Sequence, residues 1–169
     1  MELEEAIRSR RTHKAFGPQA VPREQLDELL ALARWAPNHH LTNPWRFRVV
    51  GPLALQRLKA AAGPEAAPKL ERAPTLVVAT ALRSEDPVQD QEDLLATACA
   101  VYAVLLAAHG RGLVGYWRTP GVLRTREGLA AVSVPDGERF VALIHLGWPR
   151  QEKEPPERLP PPDFTTYLD

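Results

Sequence analysis

Three short stretches hold most of the side chains in this sequence that could do chemistry. The first, Arg10-Arg11-Thr12-His13-Lys14, places three cations, a hydroxyl and an imidazole within five residues. In an extended backbone, residues two apart share a side, so Arg10, Thr12 and Lys14 face one way together. Such a row suits a phosphorylated ligand, because a guanidinium grips phosphate oxygens through paired donors while an ammonium adds a point charge. In a helix Thr12 would turn away from Arg10 and Lys14, and the row would be lost. A solvated basic turn between two helices is the plain alternative, since charge runs are usually surface. The second stretch, Ala36-Pro37-Asn38-His39-His40, runs on to Asn43-Pro44-Trp45 and offers amide and imidazole groups. The third, Gly115-Tyr116-Trp117-Arg118-Thr119, follows a long apolar segment and a glycine-rich turn.

What is missing narrows the chemistry further. There is no Gly-x-Gly-x-x-Gly after a strand, no Walker loop and no serine nucleophile elbow. His39 and His40 are adjacent and no cysteine or carboxylate cluster joins them, so no metal site is expected. Asp90 and Glu92-Asp93 read as helix-starting residues rather than as an acid–base pair. If the chain is an enzyme, a cofactor is therefore expected to carry the reaction.

Composition sets the wider limits. The 169 residues fit one domain with a real core, and 44% apolar with 25% charged residues is ordinary for a globular chain. A formal net charge of zero favours neither a general nucleic-acid partner nor an anionic membrane. No apolar stretch is expected to span a membrane, and the acidic start Met1-Glu2-Leu3-Glu4-Glu5 is unlike a signal peptide, so the cytoplasm is the expected compartment. The single cysteine, Cys99, sits in the run Ala98-Cys99-Ala100-Val101, where a small core hydrophobe is the usual role.

The elements that must position the three stretches follow from periodicity. A short helix is expected near Glu2 to Ser9, and a second, preceded by Pro22, runs through about Ala36 with Leu26, Leu29, Leu30 and Ala33 on one stripe. Pro37 stops it. Strands are expected at Phe47 to Val50, Thr75 to Ala81, Leu113 to Trp117 and Phe140 to Leu146, the second of them covered on both faces. Helices are expected at Leu53 to Ala62, ended by Gly63-Pro64, at Gln91 to about His109, and at Leu123 to Ala131. The Gln91 to His109 segment is apolar nearly all round, so it belongs either at the centre or against a partner. Residues 1–150 read as one three-layer α-β-α domain, and pattern alone leaves open whether its sheet is parallel or mixed. Residues 151–169 form a Pro-rich tail of the same domain, yet Phe164, Tyr167 and Leu168 lie in it. The tail either packs on its own domain or crosses a partner subunit.

A helix ending in Ala-Pro, then Asn-His-His-Leu-Thr-Asn, then Pro-Trp entering a strand, resembles the flavin-binding loop of the FMN-dependent nitroreductase family, most closely its short members. The resemblance covers nearly the whole chain by order of elements. It implies an α+β fold with a central mixed sheet flanked by helices, and a homodimer whose C-terminal arm crosses to the partner. It also implies FMN at the subunit interface and ping-pong hydride transfer from NADH or NADPH through flavin N5 to a small nitroaromatic or quinone-like acceptor. By the same resemblance Arg10 holds the flavin phosphate, Thr12 supports the phosphate or ribityl chain, Lys14 lies toward the pyrimidine side, and Arg11 matches the basic start. Pro37, Asn38 and His39 match a loop that reaches the opposite subunit's flavin, and Asn43 matches an amide that bonds the ring or ribityl chain. Trp117, Arg118 and Thr119 match a strand end against the flavin, where backbone N–H groups point at N5 or O4. Arg158 matches a proline-flanked phosphate contact, with Arg150 as its substitute. His13 matches no role, His40 reads as structural or solvent-facing, and Trp45 as a packing anchor. Trp35 stands where short relatives can carry an arginine, which leaves one inter-subunit phosphate contact of the family unassigned here. No side chain is implied as nucleophile or general acid. Two other readings remain open: a flavin-binding dimer without turnover, and a small α/β module whose Arg10–Lys14 turn holds another anion.

Overall fold

The computed structural model describes residues 1–154 and 156–168. Five helices and four strands follow in the order α1 (Leu3–Ser9), α2 (Arg23–Ala33), β1 (Trp45–Val49), α3 (Pro52–Ala66), β2 (Thr75–Leu82), α4 (Pro87–Gly110), β3 (Val114–Arg118), α5 (Arg126–Ala131) and β4 (Glu138–Gly147). Gly63 takes a left-handed φ of 74° and breaks α3, so the regular helix stops where Gly63-Pro64 predicts and a last turn follows the kink. α4 begins earlier than its apolar run suggests. Pro87 occupies its first turn and the Asp86 carboxylate accepts from the Val88 N–H, the N-cap arrangement that satisfies an otherwise free helix donor.

The sheet runs in the order β1-β2-β4-β3 with every ladder antiparallel. Among the described residues its one parallel pairing is an isolated bridge between Thr12 and Gly115 on the outer edge of β3. The expected mixture of strand directions is thus confined to that bridge. Alternation along the strands sends side chains to two separate cores. On one face Val77, Ile144 and Leu146 pack with Leu29 of α2 and Val101 and Val104 of α4. On the other, Leu76, Val78 and Leu143 pack with Leu58 of α3 and Ala131 of α5. The result is the three-layer α-β-α arrangement, with β2 and β4 central and covered on both sides.

Two expectations need correction. Cys99 is exposed rather than in the core. The helix is apolar nearly all round, and Ala100, Val101 and Val104, not Cys99, face the sheet. α4 is also, by length and composition alone, long and apolar enough to cross a membrane, with 24 residues and a mean hydropathy of 1.5 in its richest window. One of its faces is committed to the sheet core, as in a central helix of a globular fold.

Candidate functional site

The basic segment is extended, as the phosphate row requires. Thr12 and Lys14 are exposed, His13 between them is buried, and Arg10 is half-buried. The strand is held by the Thr12–Gly115 bridge and by the His13 N–H donating to the Gly115 carbonyl at 3.2 Å. Two of the three stretches singled out from the sequence therefore lie edge to edge. Gly115 also lets α4 pack closely on β3: a Cβ there would run into Leu105 Cδ2. Arg10 reaches over the Tyr102 ring of α4, its guanidinium carbon 5.8 Å from the centroid.

The cations of this row divide into two groups. Arg11 turns back to α1, its Nη1 donating to the carbonyls of Arg8 and Arg10, so it caps that helix rather than joining the row. Arg10 and Lys14 have no ion pair among the described residues. Arg10 Nε is moreover buried without a hydrogen-bond partner, an arrangement that costs free energy unless an acceptor arrives. Nearby, burial and then the charge of Lys153 hold the His13 pKa below its usual value, while burial, Arg10 and Arg11 do the same to His109. Both imidazoles are thereby biased toward the neutral form beside the cations. Ser9 Oγ donates to the Glu5 carbonyl and lies 2.7 Å from His109 Nε2, which ties α1 to α4.

The second stretch sits elsewhere on the same helix. His39 Nδ1 lies 2.6 Å from the Glu92 carboxylate, and Thr42 Oγ1 donates to Asp93 Oδ1 at 2.5 Å. Thr42 Oγ1 also lies 3.0 Å from Asn38 Oδ1, and Asn38 Nδ2 donates to Asn43 Oδ1. This loop is strained: His40 and Leu41 have φ of 54° and 52°, and left-handed geometry costs roughly 1–2 kcal/mol for such residues; Asn43, at 47°, adopts it more easily, its Nδ2 donating to the Leu41 carbonyl. Such strain persists only where surrounding contacts enforce it, and it concentrates at functional sites. Glu92 and Asp93, read from sequence as helix starters, are those enforcing contacts. Glu92 and Tyr102 are ten residues apart on α4, which is about 15 Å along the axis. Within one chain, then, Pro37, Asn38, His39 and Asn43 do not converge with Arg10, Thr12 and Lys14.

At the end of β3, side chains part by alternation. Trp117 faces α4, whereas Arg118 turns to the opposite face, its Nη1 donating to the Lys69 carbonyl at 2.8 Å and its guanidinium over the Tyr116 ring. The Arg118 side chain is thereby removed from the row of Trp117, and only its backbone stays there. Thr119 is exposed at the strand end. In the tail, the cation that touches the basic strand is Lys153, whose Nζ donates to the Thr12 carbonyl at 2.8 Å. Arg150 and Arg158 are exposed. Lys153 was not singled out in the sequence, and no spacing there marks it.

Between the two clusters, α2 and α4 frame an apolar groove of about 590 Å³ lined by Trp35, Pro37, Leu95, Cys99, Tyr102 and Leu106, among others. Trp35 is 80% exposed and Leu95 55%. A contiguous apolar surface of this kind marks an interaction site rather than ordinary scatter.

A family model described as "Nitroreductase family" matches residues 7–148, most of the chain. The chain belongs to the nitroreductase family. The Bacillus subtilis (strain 168) protein named "Putative NAD(P)H nitroreductase YfhC" is 29% identical, over 98% of this chain and 94% of that one. Among solved structures, a nitroreductase-like family protein from Bacillus cereus superposes with a TM-score of 0.91 at 23% identity, covering 100% of this chain and 97% of that one. The nitroreductase NfnB from sphigopyxis sp. strain HMH has a TM-score of 0.84 at 15% identity, with both chains fully covered. These likenesses fix the nitroreductase fold, so the sheet, α4 and the basic strand stand in a known architecture.

Proposed function

We propose that the chain is an FMN-dependent NAD(P)H oxidoreductase of nitroreductase type, acting as a homodimer on a small nitroaromatic or quinone-like acceptor. The observation that carries this reading is the pairing of Thr12 with Gly115. It lays a cationic segment, whose Arg10 and Lys14 have no ion pair among the described residues, against the start of β3, the strand that leads to Trp117 and Thr119. The donor set fits FMN: a buried Arg10 Nε without an acceptor, a Lys14 ammonium with no ion pair among the described residues, and an exposed Thr12 hydroxyl. In this reading Arg10 and Thr12 hold the phosphate end, and Lys14 places positive charge toward the pyrimidine side. The backbone of Trp117 to Thr119 presents donors to the ring. FMN, when bound, supplies the hydride relay between a nicotinamide donor and the acceptor. Lys153 takes the place proposed for Arg158 as the tail cation nearest the row.

The separation of the two clusters supports the dimer. Two α4 helices packed antiparallel through the Leu95–Tyr102 face would bring Glu92 of one near Tyr102 of the other. That pairing would carry Asn38, His39 and Asn43 toward the partner's Arg10 and Lys14. The names of the relatives point to the same donor, and NfnB, described as FMN- and NADPH-dependent, shares the fold. The visible absorption spectrum of the purified protein tests the reading. A flavin spectrum that bleaches on anaerobic NADH or NADPH is expected. Bound flavin that stays oxidised with both donors would favour a flavin-binding dimer without turnover, and a colourless protein that refuses added FMN would end the proposal.

A further inference from the structure

Beyond Thr119, a second opening lies at the end of the sheet where β2 stops and β4 begins. It encloses about 520 Å³, within the usual range of small-molecule sites. Leu94, Leu95, Trp117 and Phe140 supply an apolar floor, and arginines stand at the rim. The charges there do not cancel. Arg139 is taken by Asp90, its Nη1 2.7 Å from Oδ2. Glu138 is taken by Arg48 in a two-pronged pair at 2.7 and 2.8 Å. Arg83 and Arg124 are exposed and have no ion pair or side-chain hydrogen bond among the described residues. Leu95, Ala98 and Trp117 line both this cavity and the apolar groove, so an occupant would lie beside the Trp117 ring.

We propose that this cavity is a subsite for a flat aromatic group bearing an anionic substituent, with Arg83 and Arg124 as its specificity-determining residues. The apolar floor accounts for the ring, since burying it against Trp117 and the leucines removes apolar surface from water. The two free guanidinium groups account for the anion, by charge-assisted pairing and by stacking of their planes. The inference rests on the flavin reading in one respect: Trp117 and Thr119 are where the ring is assigned, so the occupant is a reactant. Two reactants share this chemistry. One is the 2′-phosphorylated adenosine of NADPH, the other a carboxylated aromatic acceptor.

Direct binding to the flavin-containing protein, followed by calorimetry, separates these possibilities without turnover. The probes are 2′-AMP against adenosine, and 4-nitrobenzoate against 4-nitrobenzamide. We expect the charged member of at least one pair to bind about fivefold tighter or better, an advantage that shrinks as salt is added. Preference in the adenosine pair identifies the donor, and preference in the benzoate pair the acceptor. Arg83→Ala and Arg124→Ala should each reduce the advantage, the double variant should abolish it, and the lysine replacements should keep part of it. Both residues are exposed, so the variants should fold and retain flavin absorbance. Equal binding of charged and neutral probes to the wild type would overturn the proposal, as would a preference that survives in the double alanine variant. A protein without flavin would refute the earlier reading, while the charge preference could still be measured.

Discussion

His145 shows what a single buried group does to the molecule. It is fully buried in β4 between the Phe16 and Tyr116 rings, and neither ring nitrogen meets a hydrogen-bond partner. Burial, then the charges of Arg118 and Arg72, push its pKa down to about 3. The folded chain therefore holds it neutral, whereas the unfolded chain protonates it near 6.5. Between those values the unfolded state binds the extra proton, so stability falls as pH drops, by up to about 1.4 kcal/mol per pH unit. His145→Leu should flatten that slope in urea titrations at pH 6.5, 5 and 4. It should also leave stability at pH 7 unchanged or about 1 kcal/mol higher, because two unpaired polar atoms disappear. An unaltered acid slope in the variant would place the titration elsewhere. Arg10 tests the ligand side at the same scale. Arg10→Ala should lower FMN retention by about tenfold or more, read as flavin per chain after gel filtration. Lys14→Ala should retain the phosphate but shift the flavin's potential downward, because a cation beside the reduced ring is gone.

Among the elements, β1, β2 and β4 are riveted by one polar cluster. Arg48 of β1 makes the two-pronged pair with Glu138 of β4, and Thr80 of β2 also donates to that carboxylate. Burial alone would raise the Glu138 pKa, but the Arg48 and Thr80 hydrogen bonds outweigh it and hold the carboxyl below its usual range. Removing one partner leaves a buried charge alone, so Glu138→Ala or Arg48→Ala should cost about 3 kcal/mol in denaturant titrations. The double change Arg48→Met with Glu138→Leu should cost less than either single change. This cluster also explains why β4 was read from sequence as starting at Phe140. Glu138 and Arg139 look like a solvated turn until the partners that satisfy them, Arg48 and Asp90, are brought in from other elements. Elsewhere local signals sufficed. The stripe on α2, the continuous apolar run of β2 and the Gly63-Pro64 stop each act within a few residues, and each proved legible. The early start of α4 was legible too, in Asp86-Pro87, but the apolar run drew the boundary inward. At the site, the extended basic strand and the 115–119 strand end could be read from residue types and family likeness. The outward turn of Arg118, the tethering of the 38–43 loop by Glu92 and Asp93, and the reach of Lys153 could not. All three depend on which face a neighbouring element presents.

For the molecule as a whole, the decisive feature is α4, which buries one face in its own sheet and leaves another uncovered. Sequence alone allowed a central helix or a partner-facing one; the structure shows one face packed on the sheet and another left uncovered, which is why Cys99 reads as core yet lies at the surface. The groove around Leu95, Tyr102 and Trp35 is matched by a second uncovered set in the tail, where Leu159, Phe164, Tyr167 and Leu168 are 69–92% exposed. An isolated chain would expose both apolar surfaces to water, at a cost of about 25 cal/mol for each Å² left uncovered. A dimer that buries the groove through α4 and receives the partner's arm removes both costs at once. Two changes separate the contributions. Leu95→Glu places a charge in the middle of the groove and should raise the dimer dissociation constant by about a hundredfold or more, since an unpaired charge in an apolar interface is poorly tolerated. Truncation before Arg158 removes the arm but leaves the groove, and should weaken association less. Sedimentation velocity and flavin absorbance, measured on the same samples, give the test. Flavin content should fall in step with the dimer, because each site would lose His39 and Asn43 of the neighbouring chain. A monomeric Leu95→Glu protein that keeps its full flavin would show that one chain binds the cofactor alone, and the shared site would have to be abandoned.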